Sequence, residues 1–231
     1  IDGVNGLSSG YCILASVAFG VFFYITESEA MLVLAAVSTG SLLPFFFHNV
    51  FGRSSKMFIG DGGALVMGVV MSTFVVNILT SNNIALETID PNFGLIAFVL
   101  AVMVIPVADT LRVMTTRIAK GTSPFHPDKT HLHHMFISLG FSHAGTTMSI
   151  LSLNTLIIGA QYLTWCLGGS MEVQLYVVIA LGILSSWGLY HGISCLKENS
   201  PIKRLMRAIG RATHLERKGI FLVLQRVSDK I

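Results

Sequence analysis

Residues 7–25 read LSSGYCILASVAFGVFFYI, nineteen positions in a row without a charge. A bilayer's hydrocarbon core takes a helix of about 20 apolar residues, and the run lacks the period-2 alternation of a membrane strand. Reading this stretch as a spanning helix decides the fold, because residues 31–47, 63–80, 93–111, 146–167 and 173–194 repeat it. The expected architecture is all-α: a polytopic integral membrane helical bundle with six transmembrane helices over residues 1–195. A basic amphipathic cytoplasmic tail, 196–231, is expected to follow it.

Composition supports this reading. Of 231 residues, 52% are hydrophobic and only 12% are charged, against about 25% charged in soluble domains. So many apolar side chains cannot be hidden in one water-soluble core of this size. An ordinary soluble enzyme, a disordered chain and a disulfide-stapled module are excluded. The net charge of +3 is too small for a nucleic-acid binder. Cys12, Cys166 and Cys195 are scattered singly and form no metal or redox spacing. The chain opens at Ile1 inside a polar, glycine-rich motif, with no basic segment or cleavage site of a signal peptide. It is therefore expected to be the C-terminal portion of a longer protein.

The scarce charge is sorted. All 15 Lys and Arg residues fall in three segments: 48–62, 112–145 and the tail from Cys195. The other connections hold Glu27, Glu29, Glu87, Asp90 and Glu172 and no basic residue. By the positive-inside rule the basic loops and the C-terminus face the cytoplasm, and six alternating spans reproduce that pattern. Ala64, Gly68 and Ser72, like Gly6 and Gly10, have the small-xxx-small spacing of close helix packing. Past the last span, Ser200-Pro201 reads as an N-cap with proline at the first helical position. Ile202, Leu205, Met206 and Ile209 then form one face, and Lys203, Arg204, Arg207 and Arg211 the other. This predicts an interfacial helix on anionic lipid.

Polar residues that need explaining gather on the basic side. Asp2-Gly-Val-Asn5-Gly-Leu opens the chain, and either polar residue could cap the next helix. Asn49 precedes Lys56-Met-Phe-Ile-Gly60-Asp61-Gly-Gly63. An N-cap explains Asp61 but not the glycines around it, which let backbone approach a ligand. A helix N-terminus there favours a phosphate, and the aspartate an accompanying Mg²⁺. The third group is Ser123-Pro-Phe-His-Pro-Asp128-Lys129-Thr-His131-Leu-His133-His134. Three histidines within four residues suit zinc or phosphate contact and proton relay. Arg117, Lys120 and Lys129 nearby favour phosphate. Asp109, one turn before Arg112, is explained by an i, i+3 ion pair, although an acid at the membrane edge is also a functional candidate.

These three motifs, in this order between spans, resemble the polyprenyl-phosphate N-acetylhexosamine-1-phosphate transferases. The bacterial undecaprenyl-phosphate GlcNAc-1-phosphate transferases are the nearest branch, and the cell-wall branch is more distant. The resemblance implies transfer of a sugar-1-phosphate from a UDP-sugar to undecaprenyl phosphate in the bacterial inner membrane, with Mg²⁺ required and Mn²⁺ left open as a substitute. It implies catalytic roles for Asp2, Asp61 (the metal-binding residue), His131, His133 and His134. Asn5, Asn49, Lys56, Gly60, Gly63, Arg117, Asp128 and Lys129 would bind substrate. A homodimer is left open. Three departures stand out. Asn5 replaces a frequent aspartate, Ala64 replaces a frequent serine, and the family's aspartate pair would lie upstream of Ile1. The chain alone is therefore expected to be inactive. Alternative readings are another UDP-N-acetylaminosugar, a metal transporter, or an inactive membrane scaffold.

Overall fold

The computed structural model describes residues 3–51, 59–80, 88–126 and 130–214. Within them the chain forms α1 (Leu7–Ile25), α2 (Glu29–Phe51), α3 (Gly60–Thr80) and α4 (Leu95–Ala119). A short α5 (Leu132–Ser138) and a long α6 (His143–Cys166) follow. The rod Met171–Cys195, here α7, carries one π-helical turn at Leu184–Gly188, and α8 is Pro201–Ala212. No strand occurs among the described residues, so the all-α membrane bundle stands.

Five of these helices, α1, α2, α3, α4 and α7, are long and apolar enough to cross a membrane. The sixth expected span, 146–167, falls on a helix of 24 residues, α6, about 36 Å long at 1.5 Å per residue, but it is not among the helices apolar enough to cross a membrane. It is more polar than the others, and several of its polar side chains lie on its buried face. Thr146, Thr147, Asn154 and Gln161 on it are all buried. Three helices also run past the expected limits. α2 continues to Phe51, α3 begins at Gly60, and α4 continues to Ala119. Arg112 and Arg117, expected in a loop, therefore lie on the last turns of α4.

Contacts fix the directions. Gly6 and Gly10 press on Phe46, and Gly20 on Ala35, so α1 and α2 form an antiparallel hairpin. Phe19 and Phe22 meet Phe98, while the Tyr11 hydroxyl reaches the Val102 carbonyl; α4 therefore runs against α1. Gln174 lies by Gly94, and Gly182 by Val104, so α7 runs with α4. One end of the bundle thereby collects the opening motif, Asn49, the ends of α4 and α7, and the histidines. The alternation expected from charge sorting holds in these contacts.

The centre is packed mainly by α1 and α4, 56% of each span being buried, against 17% for α2 and α3. Phe19, Phe23 and Phe74 interlock at ring centroid distances of 5.4–5.8 Å. Pro106 inside α4 removes the N–H that would bond the Val102 carbonyl. That carbonyl instead accepts from Tyr11 Oη (2.8 Å) and Asn154 Nδ2 (3.1 Å). In a bilayer each freed backbone group must be satisfied within the protein, and two side chains from neighbouring rods do so here.

The two small-residue stripes part company. Gly10 is in tight contact, since a Cβ there would lie 2.8 Å from Phe46. The stripe Ala64-Gly68-Ser72 instead faces outward, with nothing within 4 Å of the Gly68 position. It lines a 690 Å³ groove along α3 with Leu65, Val69 and Val76. Close packing of that stripe is thus not found among the described residues, because α1 and α4 pack on the opposite side, through Met67, Met71, Phe74 and Ile78. On α8, Ser200 accepts from the Lys203 N–H and Pro201 is the first helical residue, as the sequence indicates. Ile202, Leu205 and Ile209 stay exposed, and Gly210 is buried against Phe141.

Candidate functional site

The opening motif is not a side-chain cap. The N-cap of α1 is Gly6, at φ 75°, a left-handed conformation that suits glycine, and no side chain bonds to it as a cap. Its N–H is taken by Asn49 Oδ1 at 2.5 Å, from the buried last turn of α2. The neighbouring Asn5 is held through its backbone: its carbonyl accepts from Thr147 Oγ1 (2.9 Å) and its N–H donates to His143 Nδ1 (3.4 Å). Two helices, α2 and α6, thus pin this loop. Gly3 lies directly against the histidine cluster, since a Cβ there would sit 2.9 Å from His133 Nε2.

The cluster is a stack. The His131 and His133 rings are nearly parallel, 8° apart, with centroids 5.7 Å apart; His133 and His134 are 4.2 Å apart. His133 is buried, whereas His131 and His134 are half-buried. Burial, with His134 adding to it, pushes the His133 imidazole down to about 4, so it is neutral at neutral pH. His133 is therefore the inner member of the cluster, and His131 and His134 are the members within reach of a ligand.

Beneath the stack lies a charged clamp. Asp109 and Arg112, one turn apart on α4, face the same way. Asp109 Oδ1 accepts from Arg112 Nη2 at 2.8 Å, and Oδ2 lies 2.9 Å from His131 Nδ1. The Leu132 N–H donates to both carboxylate oxygens at 3.1 and 3.3 Å. Arg112 is fully buried; it donates to the Thr130 carbonyl at 2.6 Å and lies over the Tyr190 ring, 3.9 Å from its centroid. Tyr190 follows the π-helical turn of α7, and such turns are frequent at functional sites. A 30 Å³ cavity between Tyr11, Asp109 and His133 completes the region.

The remaining sequence candidates are more dispersed. Asp61 is exposed in the first turn of α3, one residue inside the helix and so not its cap, and it has no hydrogen-bond or ion-pair partner among the described residues. Gly60 adopts φ 66°, which requires glycine, and Gly63 packs on Ile59. No contact joins Asp61 to the histidines among the described residues. Arg117 Nη1 donates to the Pro124 carbonyl at 2.6 Å and braces the turn at the end of α4. Asp2, Lys56, Asp128 and Lys129 lie outside the described residues. No group of three His, Cys, Asp or Glu side chains able to hold a metal forms among the described residues. A single exposed carboxylate such as Asp61 still fits Mg²⁺, which keeps several waters and is bound through one or two carboxylates plus substrate phosphates.

Arg112, Tyr190, His143 and Thr147 were not among the expected site residues. Arg112 alone carried a signal, its i, i+3 spacing from Asp109.

The fold and this site define a multi-pass, all-α membrane protein with acidic, basic and imidazole groups converging at one end. Residues 1–79 match the model of glycosyl transferase family 4. It is 26% identical over 227 residues to the undecaprenyl-phosphate alpha-N-acetylglucosaminyl 1-phosphate transferase of Escherichia coli (strain K12), covering 95% of this chain and 56% of that protein. It is 29% identical over 201 residues to the decaprenyl-phosphate N-acetylglucosaminephosphotransferase of Mycolicibacterium smegmatis, covering 80% of this chain and 48% of that one. Against the Mycobacterium leprae protein of the same description the identity is 30% over 161 residues, covering 65% and 40%. The chain thus spans about half the length of the curated relatives it matches. No solved structure matches it.

Proposed function

We propose that this chain serves the transfer of GlcNAc-1-phosphate from UDP-GlcNAc to undecaprenyl phosphate at the cytoplasmic face of a bacterial inner membrane. The observation that carries this reading is the meeting, at one end of the spans, of the opening motif with the histidine cluster through Gly3 and His133. The positive-inside rule turns that end to the cytoplasm, where a nucleotide-sugar would arrive by water and the lipid along the helices. In the reaction, an oxygen of the lipid phosphate attacks the sugar-linked phosphorus. The bridging phosphorus–oxygen bond breaks, and UMP leaves with that oxygen.

Each group present fits a part of this step. His134, half-buried, is placed to donate a hydrogen bond to a phosphate oxygen, and His131, half-buried beside it, to accept one from a substrate hydroxyl or amide. Neutral His133 supports them from below without adding charge. Asp61 would hold Mg²⁺, which offsets repulsion between the two anionic reactants when bound. Arg117 orders the loop behind the cluster. The relatives named for this activity support the reading.

The test is Mg²⁺-dependent UMP release from UDP-GlcNAc with added undecaprenyl phosphate, in membranes of cells expressing the protein from its native locus. Asp61→Asn and His134→Ala should each lower the rate about 10²-fold or more, the scale of lost acid–base or orienting groups. Unchanged release in both variants would remove these roles. Release from another UDP-N-acetylaminosugar alone would move the assignment to that donor.

A further inference from the structure

The clamp beneath the histidines is not among the groups assigned a role above. Asp109 is the most connected side chain of the region. Its carboxylate receives Arg112 Nη2 at 2.8 Å, the Leu132 N–H at 3.1 and 3.3 Å, and lies 2.9 Å from His131 Nδ1. Its side chain is 12% exposed, that of Arg112 0%, and that of His131 28%. A buried ion pair loses its hydration, and Coulomb attraction alone often fails to offset that loss. Substituting well-packed apolar residues is commonly neutral or stabilising. Stability therefore does not explain the pair. Its additional contacts do have a common direction: three of the segments it holds, Thr130, His131 and Leu132, are the entry to the histidine cluster.

We infer that Asp109, backed by Arg112, is the positioning residue for His131. Its carboxylate takes the proton of His131 Nδ1 as a hydrogen bond. This fixes the neutral ring in the Nδ1–H tautomer and leaves Nε2 with a free lone pair toward the site. A carboxylate on one ring nitrogen sets the tautomer and orientation of the other in this way. Arg112 keeps Asp109 from turning away. Its guanidinium is fixed from the other side by the Tyr190 ring, 3.9 Å from its centroid. It also ties the Thr130 carbonyl at 2.6 Å, so carboxylate and loop move as one unit. Asp109 touches neither substrate nor metal in this account; it acts through His131. The catalytic part of the inference rests on the transferase reading, whereas the tautomer does not.

The test uses the protein as expressed from its native locus, reconstituted in bilayers, with ¹⁵N-labelled histidine, Asp109→Asn and Asp109→Glu variants, and a His131→Gln spectrum to assign the His131 signals. The wild-type His131 should show a protonated Nδ1 and an unprotonated Nε2. Asp109→Asn should give a mixed or inverted tautomer, with UMP release per folded protein lowered about 10²- to 10⁴-fold in kcat and KM for UDP-GlcNAc changed less than threefold. Asp109→Glu, which keeps the carboxylate, should recover the tautomer and part of the rate. An unchanged His131 signal in Asp109→Asn overturns the inference, as does an unchanged kcat with an altered signal. A wild-type protein that shows the Asp109-dependent tautomer but releases no UMP supports the clamp and refutes the transferase reading instead.

Discussion

At the end of the bundle away from the histidines, α6 and α7 are tied by two amides. Gln174 Oε1 accepts from the Gly94 N–H and from Gln161 Nε2, each at 3.0 Å, and its Nε2 donates to the Asn92 and Gly169 carbonyls at 2.8 and 2.9 Å. At the opposite end α4, α5 and α7 are tied by Asp109, Arg112, His131 and Tyr190. Both knots are buried and both join several elements. The amide knot is neutral, and all four hydrogen-bonding positions of Gln174 are used. The other is charged, contains a titratable ring, and leaves Arg112 Nε and Nη1 without hydrogen-bond partners among the described residues. A structure that needed only a strut could use the neutral form, because buried polar groups cost little once all are satisfied. Charge kept at only one of two equivalent knots marks that end for chemistry.

Two truncations test this difference most strongly. Arg112→Leu leaves the Asp109 carboxylate buried without its cation, which should cost about 3–5 kcal/mol. Gln174→Leu leaves neutral groups unpaired and should cost about 1–3 kcal/mol. Thermal unfolding in detergent measures both. UMP release per folded molecule should fall with Arg112→Leu and stay near wild type with Gln174→Leu. Equal losses of activity from the two would show that both knots are plain struts.

The same contrast explains what could be read from the sequence. Sorted charge and long uncharged runs gave spans, direction and the side on which chemistry gathers, because bilayer cost acts on each residue independently of its neighbours. Asp109 and Arg112 looked self-sufficient at i, i+3. That spacing is local, while their burial and their reach to Thr130, His131 and Tyr190 arise only from packing of α5 and α7 on α4. The side-chain cap that Asp2 or Asn5 could have supplied to the opening loop is not made, for a similar reason. Its anchor, Asn49, is 43 residues away, and the left-handed turn at Gly6 does the work a cap would do. The span α6 was legible as a length of helix. That its Asn154 and Gln161 face inward could not be seen from an average of hydropathy.

Glycines offer a second and smaller contrast. Gly10 and Gly68 sit in identical small-xxx-small spacing, yet one is packed and the other open. Gly10→Ala places a methyl 2.8 Å from Phe46 and 2.9 Å from Leu151 and should destabilise by about 1–3 kcal/mol through overpacking. Gly68→Ala meets nothing within 4 Å and should fall within about 0.5 kcal/mol of wild type. A Gly68→Ala loss as large as that of Gly10→Ala, measured by the same melts, would mean that the α3 groove is filled in the folded protein by chain beyond the described residues or by a second copy.

A last effect separates the two ends by pH. His133 is held neutral, its imidazole pushed down to about 4 by burial, whereas an unfolded chain would protonate it near 6.5. Between those values the unfolded state binds the extra proton. The stability contribution is therefore complete above about pH 6.5 and is lost progressively as pH falls toward 4, with a slope of at most about 1.4 kcal/mol per pH unit for one group. The amide knot has no titrating group, so it contributes nothing to this slope. His133→Leu should flatten the dependence in that window while leaving the values above pH 7 nearly parallel to wild type. Melts of Gln174→Leu should keep the wild-type slope with a uniform offset. If His133→Leu retained the full slope, the acid sensitivity would have to come from other groups, and His133 would not be its source.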